Sequence, residues 1–384
     1  MSRATERRPA GRIEARLDWL DGTKGIAILW IAFFHFFIAY NGGRLPWLLD
    51  PGYLASYERI CAPESPAARA LCVGSAVLTA AVELGFNGVA VFLVLSGFGL
   101  SYALARRGRP PTAWGGWYRS RLVRLLPMYW VAHLVYLVSP FQARLDTLDY
   151  RFALSFLGDR VVPIETMFYY FNPALWYFGL LLQLYLVFPA LFVALGRLGV
   201  ARFLVAAAVV TIGARWMLLF AMPVDGKWVQ GGFFACRLWE FALGMAAGAL
   251  WRKWPAATDA AVLSWRGLLA GSALYALGLY SYGALWSFLF TDALIGTGLT
   301  VVLVNVARVA GRIPWVGTAA LTVGASSYGF YLVHQPYMQY FGERMRSLDV
   351  VVFVVGAGGI IAALALGAMA LERAVNTLTR RVLG

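Results

Sequence analysis

The chain reads as a succession of apolar runs separated by short polar stretches, many of them basic. Ten runs can be drawn, near residues 25–41, 76–104, 121–139, 173–195, 203–221, 233–250, 266–283, 287–307, 318–342 and 349–372. Each is long enough, or nearly so, to cross a bilayer core as a helix, which takes about 20 residues at 1.5 Å apiece. Open strands are excluded at that depth, because their backbone N–H and C=O groups would go unpaired in lipid. The pattern therefore predicts an all-α polytopic membrane protein of about ten transmembrane helices. No internal repeat is visible in it.

Composition agrees with this reading. Hydrophobic residues make up 60% of the 384 and charged residues only 14%, against about 25% charged in an ordinary soluble domain. Mean hydropathy is +0.67. The first sixteen residues form a basic tail. The run that follows Lys24 lacks a small-residue cleavage pattern and is long enough to span, so it is read as the first transmembrane helix and not as a cleaved signal. Residues 17–384 are then one transmembrane domain.

Charge refines the picture further. A net charge of +14 could suggest a nucleic-acid partner, but the placement of the basic residues favours a membrane explanation. With the N-terminus in the cytoplasm, the clusters Arg3–Arg16, Arg106–Arg124, Arg252–Arg266 and Arg373–Arg381 all fall on the inner side. The outer loops hold far fewer cations. This is the positive-inside bias, and it is satisfied by ten spans with both termini cytoplasmic; an odd number would spoil it. Two outer loops are long, near 42–75 and 140–172. The first contains Cys61 and Cys72, which would face an oxidising compartment and are a candidate disulfide pair. Two separate thiols are the alternative, since spacing alone does not fix the geometry.

Ionisable residues inside apolar runs are few, and in lipid each is a candidate for function. They are His35, Glu83, His133, Arg215, Arg237, Glu240, Asp292 and His334. Most have a plain structural reading. Arg237 and Glu240 are three apart and share a helix face, as a structural ion pair would. Glu83 and Asp292 fall near outer interfaces, where a charge costs little. His133 can hydrogen-bond a neighbouring helix. His334 precedes Pro336 and can cap a distorted helix end.

His35 differs because of its relation to Lys24. Eleven residues at about 100° each amount to three turns and about 20° more, so the two side chains lie on one face, roughly 16 Å apart along the axis. Lys24 would sit at the cytoplasmic edge and His35 past the midplane. A cation below and an imidazole above suit an elongated ligand with an anionic head and a reactive tail, the shape of a coenzyme A thioester. Arg121 and Arg124, in "WYRSRLVRLLPMYW", are i and i+3 on one face at the inner end of the third run. Arg is suited to bidentate recognition of phosphate, although positive-inside anchoring also accounts for either residue alone.

Six stretches, in order, resemble the acyltransferase-3 family of membrane proteins. "RLDWLDGTKGIAILWIAFFHF" resembles its first-helix signature, with Lys24 and His35 at the basic and histidine positions. "NGVAVFLVLSGFGLSYAL" resembles its second, and "RSRLVRLLPMYW" carries its Arg-x-x-Arg at Arg121 and Arg124. "ALWYFGLLLQLYLVFP", "RLWEFALGMAAG" and "SSYGFYLVHQP" resemble later motifs. Together they span about residues 17 to 372. Two positions depart from the pattern: Ala90 stands where many members have Asp, and Leu181 and Leu182 where many have acidic residues. The resemblance implies a membrane O-acyltransferase of the bacterial inner membrane. Such an enzyme takes an acyl group, acetyl by default, from cytoplasmic acyl-CoA and delivers it to a hydroxyl of a glycan, a lipid-linked saccharide or another small acceptor. His35 would be its general base or its transient acyl carrier, with Lys24, Arg121 and Arg124 on the phosphates of the co-substrate. Ser96, Arg237, Glu240 and His334 are candidate helpers, although "SGFG" around Ser96 also suits tight helix packing. No metal is expected. A secondary transporter or flippase with an intramembrane proton relay is the alternative, and it would usually show an internal repeat.

Overall fold

The computed structural model describes residues 17–42, 79–105, 113–139, 148–168 and 170–383, with Ser65, Gly74 and Val77. The basic tail, Cys61 and Cys72 lie outside the described residues. Among those described there are helices and no strands. The helices are α1 (Asp18–Tyr40), α2 (Gly88–Ala105), α3 (Trp114–Leu137), α4 (Tyr150–Phe156), α5 (Trp176–Trp216), α6 (Leu238–Lys253), α7 (Pro255–Val262), α8 (Trp265–Tyr280), α9 (Phe288–Ala310), α10 (Pro314–Ala325), α11 (Ser327–Arg344) and α12 (Val350–Leu383).

The described residues of each of the ten apolar runs are mainly helical. Among the described residues five helical stretches are long and apolar enough to cross a membrane, and up to seven if each of two bent pairs counts as one span. The runs near 121–139 and 233–250 became α3 and α6. Neither is among those stretches: α3 carries Arg121 and Arg124 within its apolar part, and α6 is 16 residues long. The runs 173–195 and 203–221 were drawn apart but form one continuous stretch, Pro173–Ala221, of 49 residues. At 1.5 Å per residue a straight helix of that length would be roughly 70 Å long, over twice a bilayer core. It is in fact two helices meeting at Gly199, whose φ of 73° and ψ of 168° leave the helical region. The run 318–342, drawn as one helix, is two: α10 and α11 meet at Ser326 with a bend of 88°. Gly324, Ser326 and Ser327 flank the bend, and Gly and Ser are residues at which helices commonly break.

Helix α1 is the hub of the bundle, packed against α2, α9, α10 and α11. Small residues permit the close approach. A Cβ on Gly25 would collide with the Ala320 carbonyl, and one on Gly324 with that of Asp21. Helices α2 and α6 meet the same way: Gly97 abuts the Phe241 carbonyl and Gly244 that of Val94. In lipid such backbone-to-backbone packing takes over from the hydrophobic effect as a source of association. The "SGFG" stretch thus serves the packing expected of it.

The segment before α5 is tied down by polar side chains. Arg160, 4% exposed, donates to Ser155 Oγ at 2.9 Å and to the carbonyls of Met167 at 3.1 Å and Tyr170 at 2.8 Å. His133 fills the role anticipated for it, between the Tyr129 carbonyl at 2.9 Å and Ser155 Oγ on α4 at 3.0 Å. Asn172 reaches furthest, donating through Nδ2 to the Leu332 carbonyl of α11 at 2.7 Å. That carbonyl is the one Pro336 deprives of its usual donor four residues on. Asn172→Ala is expected to cost about 1–3 kcal/mol, the price of an unsatisfied buried acceptor. In a Pro336→Ala background, where an N–H is restored, the cost should shrink. Thermal unfolding of the four proteins in detergent measures this coupling. An equal cost in both backgrounds would disprove it.

Candidate active site

Helices α1 and α11 run side by side in the same direction. Gly324, just before α11, meets Asp21 near the start of α1, and Gly342 meets Ala39 near its end. Towards the C-terminal ends of both lies a cavity of about 740 Å³. His35 stands in its wall, partly exposed. From α11 come Tyr331 and the carboxamides of Gln335 and Gln339; from opposite elements come Asn87, Gln230 and Trp176, with Glu343 and Arg346 also lining it. Arg346 Nε donates to the Ala39 carbonyl at 2.9 Å, so the last turn of α1 is capped by a cation from the chain after α11.

His334 lies beside His35, with ring centroids 5.3 Å apart. It is fully buried. It sits inside α11 and not at a helix end, contrary to the capping role its neighbour Pro336 suggested, because Asn172 supplies the donor that Pro336 lacks and the helix continues to Arg344.

Behind the opposite wall is a buried charge network. Arg237 Nε is 2.7 Å from Glu240 Oε1, the i,i+3 pair anticipated from spacing. Arg237 Nη1 is 3.1 Å from Asp292 Oδ1, and Arg215 Nη1 is 2.5 Å from Asp292 Oδ2. Arg215 also donates to the Phe288 carbonyl. Two cations and two anions make a group of zero net charge, the form in which buried ions are tolerable. Asp292 is therefore not an inexpensive charge near an interface, as its position in the chain implied. It bridges two arginines where the end of α5, the start of α6 and the start of α9 converge. Arg237 and Asp292 both line the cavity, whereas Glu240 is fully buried behind them.

The other sequence candidates lie elsewhere. Lys24 pairs with Asp21 at 3.3 Å near the start of α1 and does not line the cavity. Ile28 and Ile31, fully buried, occupy the face between Lys24 and His35. Arg121 and Arg124, on the N-terminal half of α3, lie within Coulombic reach of Tyr185 on α5, and Arg124 also of Tyr328 and Glu372. Tyr328 donates to the Leu125 carbonyl at 2.9 Å, which ties the start of α11 to the arginine-bearing part of α3. These cations thus belong to the end of the bundle where α1 and α11 begin. Ser96 Oγ is 3.5 Å from the Tyr177 hydroxyl, whose ring meets that of Tyr331 at 5.3 Å. A discontinuous row of hydroxyls, Tyr185, Tyr177 with Ser96, and Tyr331, lies between the arginines and the histidine pair.

Sequence reasoning passed over Gln335, Gln339, Gln230 and Asn87. Gln335 and Gln339 are i and i+4, a polar stripe on one face that could have been noticed. The other two carry no such signal. Among the described residues no group of three His, Cys, Asp or Glu side chains is placed to hold a metal ion. The arrangement therefore offers a partly exposed imidazole, backed by a second one, in a roomy cavity lined with carboxamides and aromatic rings.

A family model described as "Acyltransferase domain", of the acyltransferase-3 group, matches residues 17–371. Among curated proteins, the chain is 26% identical over 296 residues to the acyltransferase MdmB of Streptomyces mycarofaciens, covering 71% of this chain and 73% of that protein. No solved structure matches it.

Proposed function

Because the chain belongs to the acyltransferase-3 family, we propose that it is a membrane O-acyltransferase. It takes an acyl group, acetyl by default, from cytoplasmic acyl-CoA and places it on a hydroxyl of a glycan, a lipid-linked saccharide or another small acceptor. The observation that carries this reading is His35, an imidazole in the wall of a 740 Å³ cavity at the opposite end of α1 from the basic residues. With ten spans and both termini cytoplasmic, the basic end faces the cytoplasm and the cavity faces outward. Donor and acceptor then meet at His35 from opposite sides of a bacterial inner membrane.

In the reaction the acceptor oxygen attacks the thioester carbonyl, the C–S bond breaks, and the hydroxyl proton passes through the imidazole to the departing thiolate. His35 performs this as general base, or else carries the acyl group itself between two such exchanges. Lys24, Arg121 and Arg124 hold the phosphates. The arm of the donor runs from these cations towards His35 past the hydroxyls of Tyr185, Tyr177 and Tyr331.

The test is direct. Membranes containing the protein, given radiolabelled acetyl-CoA and a cell-envelope glycan extract, should move label into glycan in an alkali-labile form; membranes without it should not. No difference between the two overturns the reading. Arg124→Ala is expected to weaken acyl-CoA binding about tenfold to a hundredfold, the worth of one charged hydrogen bond. Acceptor affinity should stay unchanged. Equal loss of both in binding measurements would make Arg124 structural.

A further inference from the structure

Two histidines of this protein hold the same bond on one side of the ring and differ on the other. His133 Nδ1 lies 2.9 Å from the Tyr129 carbonyl, and His334 Nδ1 lies 2.7 Å from the Tyr331 carbonyl. A carbonyl only accepts, so in each case Nδ1 carries the hydrogen, and in the neutral ring Nε2 presents a lone pair. For His133 that lone pair meets Ser155 Oγ at 3.0 Å. For His334 it has no hydrogen-bond partner among the described residues, although the residue is fully buried. Buried polar atoms without partners are uncommon and costly, and each one asks for an explanation.

The surroundings supply one. His334 touches the rings of Phe330 and Tyr331 on its own helix and the ring of His35 on α1. The ring centroids are 5.3 Å apart and the planes tilted by 47°; a turn of the His35 ring that aimed one nitrogen at His334 Nε2 would bring the two to about 3 Å, hydrogen-bond distance. Catalytic hydrogen bonds are often long without substrate and tighten in the complex. The helix that carries His334 is pinned at this point, since Asn172 holds the Leu332 carbonyl two residues before it.

We propose that His334 is a positioning residue for His35: its Nε2 accepts a hydrogen bond from one nitrogen of the His35 ring, which leaves the other nitrogen unprotonated and aimed into the cavity. This rests on the assignment of His35 as the reacting group. His334 takes no proton from substrate and forms no bond to it. It selects the tautomer of His35 and orients its ring, and such a partner also raises the basicity of the imidazole it holds.

Two substitutions separate the two sides of the His334 ring. His334→Asn keeps a donor where Nδ1 is and removes everything at Nε2. His334→Gln places a carboxamide near Nε2. With acetyl-CoA as donor and a panel of methyl glycosides as acceptors, H334N should lower kcat about tenfold to a hundredfold, the usual effect of removing a partner that orients a histidine. The KM for acetyl-CoA and the melting temperature should hold, and H334Q should recover much of the loss. A second readout is independent of acyl transfer: the rate at which diethyl pyrocarbonate carbethoxylates His35, followed by peptide mass spectrometry. It should fall several-fold in H334N and less in H334Q. An unchanged carbethoxylation rate in H334N overturns the proposal, as does an equal loss of kcat in both variants. If wild-type protein transfers no acyl group while the carbethoxylation difference is present, it is the acyltransferase reading that fails and not the pairing of the two histidines.

Discussion

His35→Ala is expected to abolish acyl transfer while leaving the protein folded. If His35 is the general base, its removal forfeits about 10²–10⁴-fold in rate; if it carries the acyl group, the route itself is lost. Either way product should fall below about one part in a hundred of wild type. The structural cost is small, because the ring stands in a cavity wall and not in the packed interior. Helix α1 is held by Gly25 against Ala320 and by Arg346 on its last carbonyls, neither of which involves His35. The two roles differ in what can be trapped. Rapid quenching of wild type with acetyl-CoA and no acceptor should capture label on His35 only if it is a carrier. Full product formation by H35A would remove His35 from the mechanism altogether.

The features legible in the chain were those that depend on neighbours in sequence. Apolar runs must become helices in lipid, and the described parts of all ten are helical, although two runs joined into one stretch and another split into two helices. The Arg237–Glu240 pair followed from i,i+3 spacing. The angular relation of Lys24 and His35 is likewise local and holds in α1. What a helical wheel cannot show is what fills the intervening turns. Ile28 and Ile31, both fully buried, sit on that face, and Ile31 borders the cavity. Long-range partners were out of reach for the same reason. Asn172 and Leu332 are 160 residues apart, and Arg215 and Asp292 are 77 apart. The contact of His334 with His35 depends on α1 and α11 lying side by side, which neither segment reveals alone. Asp292 was misjudged because burial was inferred from distance along a helix, whereas the convergence of α5 and α6 on the start of α9 decides it.

The second large effect expected is on stability, at Asp292. Its carboxylate is shared between Arg215 and Arg237. Removing it leaves two guanidinium groups facing only Glu240, a net positive charge in a region with little water. Breaking a buried pair from one side typically costs about 3–5 kcal/mol, so Asp292→Ala should unfold well below wild type in detergent. Asp292→Asn keeps the shape and hydrogen-bonding reach but not the charge, and should suffer nearly as much if charge balance is the reason. The informative comparison is Arg215→Met with Asp292→Ala. That double variant leaves the neutral Arg237–Glu240 pair intact, and its loss should be clearly smaller than the sum of the two single losses, because members of one network do not add. Arg237 would still stand beside the cavity in the double variant, and its residual transfer activity would report on whether the network serves the site or only the fold. Strict additivity of the two single effects, or a D292N protein as stable as wild type, would show that these charges are independent of one another.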